Sequence, residues 1–256
     1  MKRAELREFL EKKVDEYNTP RLIGYDPISI PHRFSKKEDI EISAFLAATI
    51  AWGQRKTIIR NANFLMERME EQPHQFISQF ELPDLERFSG FVHRTFNEVD
   101  LRHFLISLQN IYRQHGGLES AFYGFDGVSQ LSGREAILRF RELFFQVSHE
   151  KRTEKHVSDP ARGSSAKRLN MFLRWMVRKD SRGVDFGIWQ SPSMSGLSIP
   201  LDVHTGRVSR KLKLLKRKQN DWKAVAELDE ALRKLDPEDP VKYDFALFGL
   251  GAFEKF

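Results

Sequence analysis

Two side chains in this sequence stand where covalent chemistry on a polyanion is feasible. Lys167 lies in Gly163-Ser164-Ser165-Ala166-Lys167-Arg168-Leu169-Asn170. Asp202 lies in Ile199-Pro200-Leu201-Asp202-Val203-His204-Thr205-Gly206-Arg207-Val208. A lysine amine attacks an electrophilic carbon once it has lost its proton, so it needs burial or a cationic neighbour such as Arg168 to lower an ordinary value of ~10.4. A carboxylate can carry that proton away, or stabilise a cation that develops as a bond breaks. On spacing alone, Asp202 is first of all a helix cap that complements the dipole.

The elements that must present these two residues are helices. Ser165 to Lys179 reads as a helix that buries Leu169, Phe172, Leu173 and Met176 and turns Lys167, Arg168, Arg174 and Arg178 to other faces. Ahead of it, Pro160-Ala161-Arg162-Gly163-Ser164-Ser165 supplies small residues and capping hydroxyls. Such a start leaves backbone N–H groups free to hold phosphate without reading sequence, which makes Gly163, Ser164, Ser165 and Arg168 candidates for nucleic-acid contact. Asp180 to Pro200 reads as a long irregular connection. Its Phe186 and Trp189 either stack a base or anchor the loop. A second helix opens at Leu201-Asp202-Val203 with Val208, Leu212 and Leu215 inward and basic residues, Arg207 among them, around them.

The rest of the chain supports a mostly helical fold. Ala4 to Tyr17 carries a helical stripe, and prolines at 20, 27 and 31 mark a loop. Ser35 with Glu38 has the form of a capping box for the next helix. Ile42 to Trp52 is apolar nearly all round and reads as a buried helix ended by Gly53. Gln54 and Arg55 then stand either at the rim of a cleft or, as spacing favours, in a solvated turn before a helix from Thr57 to Met69. Further helices are expected over Leu101 to Gln114, Arg134 to Val147 and Asp221 to Lys234. The last, Tyr243 to Phe253, has Gly249 and Gly251 inviting close packing. His93 is expected as a packed core or a surface histidine. No long alternating pattern and no repeat at solenoid period is present.

Composition bounds the function classes. A chain of 256 residues with 40% apolar content and 21 Phe has ample material for a core. No cysteine is present, which excludes disulfides and Cys-held zinc or iron–sulfur clusters. Charged residues follow Met1 directly and no apolar run reaches a membrane span, so a soluble, cytoplasmic, nucleoid-associated protein is expected. The net charge of +6 is unevenly placed, since residues 151–220 hold 17 Lys/Arg against five acids. A positive charge confined to that third of the chain suits a nucleic-acid partner.

These residues resemble the helix-hairpin-helix superfamily of base-excision DNA glycosylases. In its endonuclease III branch, a hairpin reads Gly-x-Gly-x-Lys-x-x-Asn and a later helix opens Val-Asp-x-His-x-x-Arg-Val. Lys167 falls on the catalytic lysine, and Asp202, His204, Arg207 and Val208 fall on the second motif. Phe45 to Gln54 is similar to the family helix that ends in a Gln facing DNA. The hairpin departs from the usual pattern as Pro160-Ala161-Arg162-Gly163, and the 35 residues from Lys167 to Asp202 are closer to the archaeal enzymes acting on oxidised guanine. The whole sequence also resembles an uncharacterised bacterial family of that superfamily.

The resemblance implies an all-α fold of two helical lobes with a cleft, one lobe from residues 36–185 and the other from 1–35 with 186–256. It implies a monomeric DNA glycosylase, with or without AP-lyase activity, that needs no cofactor, metal or iron–sulfur cluster. The substrate would be double-stranded DNA carrying a damaged base, which is flipped out and released. Lys167 and Asp202 would be catalytic. Gln54, Arg55, Gly163, Ser164, Ser165, Arg168, His204 and Arg207 would contact DNA, and Phe186 and Trp189 would flank the base. The alternative is a non-catalytic helical module that grips DNA or RNA.

Overall fold

The computed structural model describes residues 2–124, 131–254 and 256. Among them the protein is mostly helical: α1 (Arg3–Tyr17), α2 (Lys37–Thr49), α3 (Arg55–Arg68), α4 (Pro73–Gln79), α5 (Glu98–Gln114), α6 (Leu118–Tyr123), α7 (Gly133–Phe144), α8 (Lys167–Val177), α9 (Val203–Lys211), α10 (Trp222–Arg233) and α11 (Tyr243–Ala252). One two-residue hairpin, β1 (Val92–His93) with β2 (Phe96–Asn97), lay below what sequence alternation can reveal. The proline-rich stretch after α1 folds as 3-10 turns, each opened by a proline. Among the described residues no helix is long and apolar enough to cross a membrane.

The chain divides into two compact units, Met1–Leu22 with Gln130–Glu135 and Asp159–Phe256, and Ile23–Ser129 with Ala136–Ser158. The boundary expected after residue 185 therefore falls inside the first unit. The reason is a set of buried ion pairs described below, which ties α8 to the segments around Asp185 and Asp239–Asp244.

In the second unit, every residue of α2 from Ile40 to Thr49 is buried, including Glu41, which accepts from the Tyr112 hydroxyl at 2.7 Å, and Ser43, which donates to the Asp39 carbonyl at 2.6 Å. Ser35 lies outside that helix, whose cap position is Lys36 with no side-chain hydrogen bond, so the expected capping box does not form. His93 takes the core alternative, 2% exposed, with Nε2 3.0 Å from the Trp52 carbonyl.

In the first unit, α11 packs on α1 and α9. Leu6, Leu10, Val208, Leu228, Leu247 and Leu250 meet in its core. The two glycines of α11 permit that approach. A Cβ at Gly249 would overlap the Tyr17 ring, and one at Gly251 would lie 2.9 Å from the His204 Cβ. Close packing at both positions agrees with the sequence.

Candidate active site

The hairpin ahead of α8 is held by its own backbone. Gly163 takes φ +90°, Ser164 Oγ accepts from the Ala166 N–H at 3.2 Å, and Ala166 takes φ +47°. A non-glycine residue in the left-handed region stores strain and persists only where surroundings impose it. Here the surroundings are the start of α10, since Trp222 N–H donates to the Gly163 carbonyl at 3.0 Å and Ser164 bridges Asp221. The helix thus begins at Lys167, two residues later than its hydroxyls suggested. Ala166 occupies the cap position with no side-chain hydrogen bond.

Lys167 is the first residue of α8 and is half-buried. Among the described residues its Nζ makes no hydrogen bond and no ion pair. Arg168 beside it is half-buried, and desolvation pushes its guanidinium down to about 10, still cationic at neutral pH. Ser165 turns its carbonyl to the Asn170 side chain at 3.1 Å.

Asp202 is the N-cap of α9. Its Oδ1 accepts from the N–H groups of His204 and Thr205, both at 2.8 Å, which leaves Oδ2 with no partner among the described residues. His204 donates from Nδ1 to the Gly251 carbonyl at 3.2 Å, and Arg207 donates to the same oxygen at 2.7 Å. Both side chains, expected at DNA, therefore fasten α9 to α11.

The two expected wall residues separate. Trp189 is 2% exposed and meets Phe172 edge-on at 5.4 Å, so it anchors the loop in the core. Phe186 is half-buried, and its N–H closes the end of α8 on the Trp175 carbonyl at 2.8 Å. Gln54 is the exposed residue before α3 and Arg55 its first residue. Both belong to the other unit.

A buried charge network ties α8 to the segments around Asp185 and Asp239–Asp244. Arg174 and Arg178, read from sequence as outward-facing, are 7% and 2% exposed. Arg174 pairs with Asp185 at 3.3 Å and with Asp244, and Arg178 with Asp180 at 2.7 Å and Asp185 at 3.1 Å. Asp239 holds Arg178 at 3.0 Å, and both guanidinium groups lie over the Phe245 ring. Burial pushes Asp244 up to about 6, against the pull of Arg174. The next charges acting on Asp244 are Asp202, which opposes its ionisation, and Lys167, which favours it. Asp244 thus joins α8, which Lys167 opens, to the turn of α9 that Asp202 caps, through Arg174 and Thr205 within one unit.

Sequence reading missed Arg174, Arg178, Asp185 and Asp244. Their signal is a charge inside an apolar run, such as the lone carboxylate of Tyr-Asp-Phe-Ala-Leu-Phe at 243–248, which demands a buried partner.

A sequence profile described as a protein of unknown function, DUF2400, matches residues 26–253. The chain belongs to that family. The DUF2400 span covers nearly the whole chain and includes Gln54, Lys167, Asp202 and Asp244, while α1 lies ahead of it. No match was found among curated proteins or among solved structures. Among the described residues no cluster of His, Asp or Glu has the makings of a metal site.

Proposed function

We infer that the protein is a DNA base-excision glycosylase with AP-lyase activity, built on a helix-hairpin-helix glycosylase fold and acting on a damaged base in duplex DNA. The observation that carries this reading is the chain of contacts from α8, which opens on Lys167, through Arg174, Asp244 and Thr205 to Asp202 at the cap of α9.

In this reading the hairpin holds backbone phosphate through the N–H groups at the uncapped start of α8, with Arg168 adding charge. Extruding the target nucleotide costs a few kcal/mol and is easiest at a damaged or mispaired base. The Lys167 amine forms a bond to C1′ as the N-glycosidic bond breaks and the base leaves with the bonding pair. Loss of the amine proton and ring opening then give an imine, from which β-elimination cuts the strand. Asp202 keeps Oδ1 on its own helix and uses Oδ2 to take that proton, or to stabilise the cationic sugar as the base departs.

The test is borohydride reduction of the protein with duplexes bearing abasic sites and a panel of oxidised bases. A covalent adduct with wild type that disappears in Lys167→Ala supports the reading. No adduct and no base release, together with tight salt-sensitive duplex binding, would replace it with a binding module that grips phosphates alone.

A further inference from the structure

Asp244 stands near the start of α11 among Tyr, Phe, Ala, Leu and Gly, and it is 6% exposed. One carboxyl oxygen pairs with Arg174, and the other accepts from Thr205 Oγ1 at 3.4 Å. Thr205 in turn gives its backbone N–H to Asp202 Oδ1 at 2.8 Å. The same turn of α9 is held again by the Gly251 carbonyl, through His204 and Arg207. A carboxyl on α11, a hydroxyl on α9 and the candidate acid are therefore linked in sequence.

Stability alone does not call for this arrangement. Arg174 already has Asp185 as a counter-ion, and a buried ion pair is often no better than well-packed apolar groups of similar volume. A second buried carboxyl beside a candidate site is more readily understood as part of that site. We propose that Asp244 is a positioning residue for Asp202, holding the first turn of α9 through Thr205 while Arg174 holds Asp244. Its catalytic consequence rests on the glycosylase reading of Lys167 and Asp202.

Arg174 of α8 and Thr205 of α9 touch Asp244, and the further charges acting on it are Asp202 at the start of α9, Lys167 of α8 and Asp185 from the loop that follows α8. Burial brings its carboxyl to about 6, so its charge changes just below neutrality. Amide resonances of the full-length protein, followed by NMR from pH 4.5 to 7.5, read this directly. The Thr205 amide is expected to titrate with a midpoint near pH 6, to lose that midpoint in Asp244→Asn and to keep it in Asp229→Asn, the other carboxyl raised to about 6 in this unit. Thr205→Val removes only the hydroxyl link, which keeps the test open if Asp244→Asn folds poorly. It is expected to slow borohydride trapping on the order of 10-fold and to flatten the acidic limb of the pH profile, both recovered by Thr205→Ser.

Wild type that neither traps nor releases base would sink the glycosylase reading, and the Thr205 titration would still decide the role of Asp244. A midpoint near 6 that survives Asp244→Asn, or Thr205→Val with the wild-type rate and pH profile, overturns the assignment.

Discussion

The carboxylate of Asp202 turns Oδ1 onto the N–H of Thr205 at 2.8 Å, so the candidate acid is also the cap of the helix it opens. The two roles separate by substitution. Asparagine caps about as well as aspartate, whereas alanine costs about 1 kcal/mol. Asp202→Asn is therefore expected to melt close to wild type yet to lose base-release activity by roughly 10²-fold or more. Thermal melts beside single-turnover base release would show it, and an active Asp202→Asn would leave the residue only its structural role.

Lys167 gives the opposite pattern to a buried residue. With no partner to lose, Lys167→Ala should leave stability within about 0.5 kcal/mol of wild type while abolishing the covalent adduct. Chemical denaturation and reductive trapping of one preparation check both halves. Undiminished trapping in the variant would move the nucleophile elsewhere.

Gly251 lies against α9, where an added methyl would come 2.9 Å from the His204 Cβ and 3.2 Å from its backbone. Gly251→Ala must push the helices apart or strain them, at about 1–3 kcal/mol. It should also weaken the hold on the turn bearing Asp202. A fall in both melting temperature and trapping rate is expected, whereas unchanged values would mean the interface yields without consequence.

The pH dependence of stability has a definite sign at Asp229. Its carboxyl is 4% exposed, accepts from the Ile199 N–H at 2.8 Å and is pushed by burial up to about 6, above the ordinary 3.8. Folding therefore favours the protonated form. That contribution is complete below about pH 4 and is lost as pH rises toward 6, at no more than about 1.4 kcal/mol per pH unit. His103, brought by burial to about 4, works in the other direction over the interval up to its ordinary 6.5. Asp229→Asn imitates the protonated state and keeps an acceptor for Ile199. Its stability relative to wild type should rise between pH 4 and 7, as urea denaturation at several pH values would reveal. A constant difference across that range would contradict the sign.

Element type was legible wherever apolar residues recurred with helical period or filled a run, as in α2, α5, α10 and α11. Helix starts were less so. The hydroxyls of Ser164 and Ser165 pointed to a cap, but the hairpin ties itself to Trp222 and Asp221 and leaves that position to Ala166 in a left-handed conformation. A cap depends on where the preceding chain is fastened, and the fastening comes from residues more than fifty positions away.

Lys167 and Asp202 stand out by residue type and by their place at helix starts, and local chemistry suffices for that. Arg174 and Arg178 show the limit. Their spacing on an amphipathic helix reads as a face turned away from the core, yet every residue of α8 from Leu169 to Val177 is buried and both cations are neutralised by Asp185, Asp239 and Asp244. Composition and periodicity determined a helical, cysteine-free chain whose positive charge is concentrated in one third of its length. Which charges are buried together, and that Asp244 links α8 to the turn of α9 bearing Asp202, was decided only by tertiary packing. Burial and pairing depend on distances between segments far apart in the chain, and no local pattern carries those distances.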